Sequence, residues 1–446
     1  MTHENLLAAR GWGKAGGKSL EESHRSIPIP AGYSWFWKLI AFSGPGYLVA
    51  VGYMDPGNWA TDLVGGSDFG YALLSVILIS NLTAILLQHL SAKLGIATGR
   101  DLAQLCSESL PRPAALAMWV IAEIMIIACD LAEVIGSAIA LYLLFHIPVL
   151  WGVIITAGDV FLLLAFQRFG FRILEAVVCT LIVTIMACFG IEVLLSQPAL
   201  PELLRGFVPT ASIFTNPAML YVAMGILGAT VMPHNLYLHS ALVQTRRYEE
   251  TESGKREAIR YMTIDSTIAL SLAFFVNAAI LIVSAAVFHA HGYSGIADIS
   301  RAFTLIAPVV GASIASTLFA IALLASGQNS TVTGTLAGQI IMEGFLNLRM
   351  KPWARRIITR SLAIIPAIIT ITIVGESSLT KLLVLSQVIL SIQLPFAVIP
   401  LVMFTSSRRR MGPFTNARWL TATASFVVAA ITLLNIWLIV SIFRGL

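Results

Sequence analysis

Long apolar runs joined by short polar connections make up most of this chain. Runs near residues 39–64, 70–93, 113–143, 148–166, 173–195, 217–243, 264–289, 310–344, 357–375, 378–404 and 419–443 approach or exceed the roughly 20 residues a bilayer-crossing helix needs. They predict eleven transmembrane helices and an all-α polytopic membrane protein. The connections leave no room for a soluble domain. The substantial polar ones are the N-terminal tail and the stretch from Arg246 to Arg260, which reads as a solvated loop or a short amphipathic helix.

Two of the runs are interrupted in the same way. Span 1 carries Gly52-Tyr53-Met54-Asp55-Pro56-Gly57-Asn58, and span 6 carries Ala229-Thr230-Val231-Met232-Pro233-His234-Asn235. Both show x-Pro-x-Asn at mid-span, five spans apart. Proline lacks the backbone donor and clashes with the preceding turn, so each helix should break there. Broken backbone at membrane depth survives only when buried in protein or lining a wet cavity. An odd number of spans per repeat places the two copies in opposite orientations. Inverted repeats with discontinuous first helices are the pattern of secondary transporters, whose site lies where the repeats meet.

Composition and charge sharpen this picture. Hydrophobic residues are 57% of the chain and charged residues 11%, against the roughly 25% charged content of a soluble domain. The first 26 residues lack the apolar core of a signal peptide, so the N-terminus is expected in the cytoplasm. With that orientation, 24 of the 28 Lys and Arg fall on the cytoplasmic side, as the positive-inside rule demands. Only Arg205, Arg301, Lys381 and Arg444 fall outside. The net charge of +5 therefore reflects topology and implies no nucleic-acid partner. Cys106, Cys129, Cys179 and Cys188 have no zinc-type spacing and read as small buried hydrophobes.

Ligand-type side chains flank both breaks. Asp55 offers a carboxylate, Asn58 an amide oxygen and Met232 a thioether, while unwound turns free carbonyls such as those of Gly52 and Ala229. A membrane carboxylate without a fixed partner calls for a cation that comes and goes. Oxygen donors alone suit Mg²⁺ or Ca²⁺, whereas a thioether favours later transition metals. Methionine is also a common apolar filler.

These residues resemble the motifs of the Nramp family of metal-ion/proton symporters. The matching segments are Asp55-Pro56-Gly57-Asn58, Met232-Pro233-His234, Tyr237-Leu238-His239-Ser240 and Ser326-Gly327-Gln328-Asn329-Ser330. The resemblance implies a LeuT-like fold with 5+5 inverted repeats plus an eleventh transmembrane helix. The expected divisions are a cytoplasmic tail at 1–34, repeats at 35–196 and 197–404, and a loop with the last helix at 405–446. It implies that Asp55, Asn58, Met232 and the Ala229 carbonyl bind metal, with Gly52 standing where many members carry Ala. Gln387, in Leu385-Ser386-Gln387, matches a residue that approaches the metal in the inward-closed state. A sulfur-bearing residue at 232 makes Mg²⁺ the less favoured cargo.

Span 3 carries Glu123, Asp130 and Glu133 at spacings that share one helical face. Such a stripe either pairs with interior basic residues or conducts. Arg355 and Arg356, at the start of span 9, are candidate partners, though flanking arginines also serve as topology anchors. In the family these carboxylates resemble a proton route from Asp55 toward the cytoplasm. His234 adjoins Met232, and an imidazole titrates near neutrality. His239 is as readily a packing residue. Gln328 and Asn329 interrupt the apolar run of span 8, where they either close the site or join helices. Asp159 and Asp265 have no role legible in the sequence.

The expected function is proton-coupled import of Mn²⁺ and Fe²⁺, with Cd²⁺ and Co²⁺ also accepted, by a multi-pass protein of the cytoplasmic membrane with its C-terminus external. No permanently bound cofactor is expected. The partners are the transported metal ion, protons and the lipid bilayer, and the chain is expected to work as a monomer. A sodium-coupled amino-acid transporter of the same fold is the alternative, but the acidic Asp55 would repel a substrate carboxylate. No nucleophile–base pair or nucleotide motif points to an enzyme.

Overall fold

The structure is a computed structural model that describes residues 17–29, 32–156, 158, 171–294, 296, 299–310, 312, 314–347, 352–373, 375 and 379–444. Sixteen of the helices among the described residues organise it. Span 1 comprises α1 (Trp35–Phe42), α2 (Pro45–Gly52) and α3 (Pro56–Phe69). Then follow α4 (Leu74–Thr98), α5 (Leu102–Ser109), α6 (Arg112–Phe145), α7 (Val149–Thr156) and α8 (Phe171–Ser196). Span 6 is α9 (Pro217–Val231) and α10 (Pro233–Leu242). The rest are α11 (Glu252–Val287), α12 (Ile299–Val310), α13 (Ile314–Leu346), α14 (Pro352–Ile373), α15 (Leu379–Thr405) and α16 (Arg418–Arg444).

A helix stands at each of the eleven predicted spans. Among the described residues seven stretches are long and apolar enough to cross a membrane, span 6 counting as one across its break. The others fall short for identifiable reasons. Span 1 is cut into pieces, the apolar part of α14 is short, and only α7 of span 4 lies within the described residues. Helix α13 dilutes its apolar side chains with a run of Ser, Thr, Gly, Gln and Asn.

Both proline breaks occur where the sequence places them. Pro56 and Pro233 open α3 and α10 at their first helical positions, where a missing N–H costs nothing. Helix α3 packs on α9 and α11, α9 on α15, and α6 on α13, α14 and α15, so the broken segments are enclosed by continuous helices. Helix α16 lies outside this group against α15.

Three expectations change. The Arg246–Arg260 stretch is largely neither loop nor separate helix, because α11 begins at Glu252 and continues into the membrane. Thr251 caps it by accepting the Gly254 N–H at 3.1 Å, and an Arg256–Glu252 ion pair at 2.6 Å supports its first turn. Span 1 has a further break at Ser43–Gly44, between α1 and α2. Gln328 and Asn329 do not interrupt α13, whose backbone runs through both as helix. An amide side chain interrupts hydropathy without removing a backbone donor.

Asp265 acquires a place. Its carboxylate accepts from Ser43 Oγ at 2.9 Å, Gly44 N at 3.3 Å and Gly46 N at 2.7 Å, which caps the start of α2. An anion at a helix N-terminus satisfies orphan donors and complements the helix dipole. Asp159 lies outside the described residues.

Candidate metal site at the paired helix breaks

The two breaks meet. Asp55 caps α3 by accepting the Asn58 N–H at 2.9 Å, and its Oδ1 also accepts from Asn58 Nδ2 at 2.7 Å. That same amide donates to the Ala229 carbonyl at 3.1 Å, which ties the first break to the second. Gln387, from α15, donates to Asp55 Oδ2 at 3.4 Å. Met232 sits at φ 39° between α9 and α10, a left-handed backbone that L-residues seldom adopt. Its sulfur faces Gly52 and accepts from Asn235 Nδ2 at 3.6 Å.

All six residues expected around a metal are therefore gathered: Gly52, Asp55, Asn58, Ala229, Met232 and Gln387. Each is buried, with Asp55, Ala229, Met232 and Gln387 at 0% exposure, so this conformation shuts the site off from both faces. The amide oxygens of Asn58 and Gln387 have no hydrogen-bond partner. Buried oxygens are rarely left so, and two beside a carboxylate and a thioether form a ready set of cation donors. Among the described residues no group of three or more His, Cys, Asp or Glu could hold a metal. The donor set here is mixed, with one carboxylate.

Glycine matters at both Gly57 and Gly52. A Cβ at Gly57 would fall on the Gln387 amide that reaches Asp55. A Cβ at Gly52 would run into the Asn235 amide, which also donates to the Val49 carbonyl at 3.1 Å. Position 52 thus makes room for the Asn235 amide, which the sequence does not reveal.

A polar chain leads away from the site. His234 Nε2 lies 3.9 Å from Cys129 Sγ, which donates to Glu133 Oε1 at 3.7 Å. Glu133 Oε2 pairs with Arg360 at 3.2 Å, and Arg360 approaches Asp130 Oδ1 at 3.9 Å. Thr331 accepts from Arg360 at 2.9 Å and donates to Glu133 at 3.1 Å. Glu123 lies partly buried two turns before Asp130. Among the described side chains, the arginine on the carboxylate stripe is Arg360. The side chains of Arg355 and Arg356 lie outside the described residues, although both belong to α14. Cys129 gives no sign of this place in an apolar run.

Gln328 and Asn329 stay away from the donors. Asn329 donates to the Val178 carbonyl of α8 at 3.4 Å and joins two helices, while Gln328 is half-buried. Neither makes a hydrogen bond to Asp55, Asn58 or Met232. His239 Nδ1 lies 3.0 Å from Gln88 Oε1, and Gln88 donates to Tyr53 OH at 2.9 Å.

Two discontinuous helices meeting at a buried polar site in a bundle of continuous ones define a membrane transporter of the LeuT-like fold. Distant solved structures share it: the nucleobase-cation symporter Mhp1 at 15% identity and TM-score 0.56 (82% of this chain, 79% of that one), and MhsT at 17% and 0.57 (87% and 98%). The family model described as "Natural resistance-associated macrophage protein-like" matches residues 46–441, and the chain belongs to the Nramp family. It is 58% identical to the divalent metal cation transporter MntH of Listeria innocua, over 96% of each chain. Identity to the Bradyrhizobium diazoefficiens protein of the same name is 59%, covering 96% of this chain and 95% of that one. A crystal structure of the Eremococcus coleocola manganese transporter superposes with TM-score 0.89 at 44% identity, covering 96% and 92%.

Proposed function

We propose that this chain imports divalent transition-metal ions, Mn²⁺ and Fe²⁺ foremost with Cd²⁺ and Co²⁺ also accepted, in symport with protons and by alternating access. The observation that carries the reading is the buried Asp55 carboxylate, flanked by the unpartnered oxygens of Asn58 and Gln387 and by the Met232 thioether. One carboxylate with amide and carbonyl oxygens suits a hard or borderline dication, and the sulfur tilts selectivity toward transition metals. The names of the MntH relatives and of the Eremococcus transporter point the same way.

Proton movement is assigned to Asp55, His234, Glu133, Asp130 and Glu123, with Arg360 as the fixed counter-charge. The Cys129 thiol bridges His234 to Glu133, which gives the route a contiguous start beside the metal donors. The repeats at 35–196 and 197–404 rock about the site. The N-terminus faces the cytoplasm and the C-terminus the outside, as the Lys and Arg distribution requires. The chain works as a monomer, since one chain supplies every donor.

Purified protein in proteoliposomes tests the reading. Mn²⁺ uptake is followed with lumenal pH, in competition with Fe²⁺, Cd²⁺, Ca²⁺ and Mg²⁺. Uptake that Fe²⁺ and Cd²⁺ suppress and Mg²⁺ does not, with lumenal acidification, is the expected result. Absence of metal uptake, or sodium-driven amino-acid uptake, overturns it.

A further inference from the structure

A second built cavity lies away from the metal site, on the face that the charge distribution assigns to the cytoplasm. Residues 17–29 form a strap across that face. Ile27 and Pro28 pair in parallel with Arg246 and Arg247, and the Arg25 N–H donates to the Gln244 carbonyl at 3.0 Å. The Arg25 side chain reaches Glu250 and donates to the Tyr248 carbonyl at 2.7 Å. At the other end Ser19 bonds Asp101, and Arg100 and Gln104 donate to the Gly17 carbonyl at 3.2 and 3.0 Å. The strap therefore joins the loop after α4 to the segment after α10.

Beneath it is a cavity of about 820 Å³. The strap contributes Lys18 and Arg25 to its wall, and the body contributes Arg100, Arg246 and Lys255. Glu21 and Glu250 are the carboxylates in its wall among the described residues; Arg25 pairs with Glu250, and Arg100 and Arg246 pair with Glu108 and Glu175 from outside it. Lys255 spends its ammonium on a neutral group, the Ala97 carbonyl at 3.1 Å. Among the described residues neither Lys255 nor Lys18 forms an ion pair. The field is felt locally: burial, then the charges of Lys18 and Arg25, hold His24 below the usual imidazole range.

Arg246 connects this cavity to the break between α1 and α2. It pairs with Glu175 at 2.8 Å and donates to the Phe42 and Ser43 carbonyls, at the hinge between α1 and α2. We propose that the cavity binds a phosphate-bearing anion, which clamps residues 17–29 to the body and holds the inner side of the transporter closed. Such an anion bridges strap cations to body cations and is released when the strap lifts. A ligand that binds only the closed form shifts the equilibrium toward it about a hundredfold at a concentration of 100 times its Kd.

The test uses the full chain in zwitterionic-lipid nanodiscs, in metal-free buffer, with inorganic pyrophosphate as probe. Saturable binding that slows amide exchange across residues 17–29 is expected. The double variant Lys18→Gln/Lys255→Gln should bind at least tenfold more weakly while its ligand-free thermal midpoint stays put. If that variant does not fold, Lys18→Gln alone decides, because the side chain is exposed on the strap, and a several-fold loss is expected. A second arm replaces pyrophosphate with anionic-lipid nanodiscs. Protection there assigns the anion to a lipid headgroup, and protection by pyrophosphate alone assigns it to a soluble phosphate compound. No protection in either arm, or equal binding by the lysine variants, overturns the proposal.

Discussion

Asp55 does two jobs with one carboxylate: it caps α3 and it supplies the only anionic donor among the proposed ligands. The two jobs separate by substitution. Asn is as good an N-cap as Asp, whereas Ala costs about 1 kcal/mol at such a position. Asp55→Asn should therefore fold normally and lose Mn²⁺ uptake, and Asp55→Ala should lose both uptake and some thermal stability. Measured transport by a well-folded Asp55→Asn protein would remove Asp55 from the ligand set. For Met232 the expected effect is on selectivity. Met232→Ala should retain part of the Mn²⁺ uptake, weaken Cd²⁺ binding by tenfold or more, and let Ca²⁺ compete, because sulfur matters most to soft ions. Calorimetric titration with the three metals checks this, and unchanged exclusion of Ca²⁺ assigns discrimination elsewhere. Five of the six residues of the proposed site were legible because proline motifs mark both breaks in the sequence, and Gln387 was offered by the family resemblance alone. Arg360 was not, since a basic residue inside an apolar run carries no sign of which face it takes, and Cys129 looks like filler.

At the scale of elements, the broken helices are held by groups from several neighbours. Asp265 on α11 caps α2, Arg246 holds the carbonyls at its base, and Arg172 donates to the Ile40 and Ala41 carbonyls at 3.0 and 2.7 Å. None of these contacts can be read from sequence, because each is made over a hundred residues away. That a break exists is local chemistry; what closes around it is tertiary. Asp265→Ala removes three accepted hydrogen bonds and leaves the N–H groups of α2 uncapped, a loss of about 1–3 kcal/mol for each charged bond. The variant should populate an inward-open form in which α2 swings free. Amide exchange in residues 45–52 should rise at least tenfold and net Mn²⁺ uptake should fall, with the other helices unaffected. Uniformly faster exchange throughout would mean general destabilisation instead. The carboxylate stripe on α6 calls for a sharper pair of variants. Arg360→Ala strands Glu133 and Asp130 beside an empty place, which costs about 3–5 kcal/mol when a buried pair is broken. Asp130→Asn keeps shape and leaves Glu133 paired with Arg360, so it should fold well. If Asp130 relays protons, voltage-driven metal uptake persists in Asp130→Asn while lumenal acidification falls. Parallel loss of both fluxes with a lowered thermal midpoint would make Asp130 a structural anchor.

For the whole molecule, which residues meet which compartment depends on which face is which, and the expectation rests on charge rather than on any single contact. Eleven spans put the termini on opposite sides, and a miscounted span would scramble the segregation of 24 against 4 basic residues. Among the described residues a helix stands at each of the eleven positions, and seven stretches reach spanning length and hydropathy. The strap packed against the segment after α10 adds a second constraint: Ser23 must lie on the same side as Arg246, and Arg205 on the other. The four native cysteines do not obscure a test, because Cys106, Cys129 and Cys188 are buried and Cys179 is partly so within α8. In intact cells a membrane-impermeant maleimide should label Arg205→Cys within minutes and leave Ser23→Cys unlabelled until the membrane is permeabilised. Both positions are exposed or partly exposed in the closed conformation, so accessibility to reagent is set by the bilayer and not by burial. Labelling of Ser23→Cys in intact cells would invert the molecule and put the basic cavity outside. Labelling of Arg205→Cys alone fixes α3 and α9 with their outer ends toward the medium, so that a metal ion entering from there meets Asp55 before it meets the carboxylates of α6.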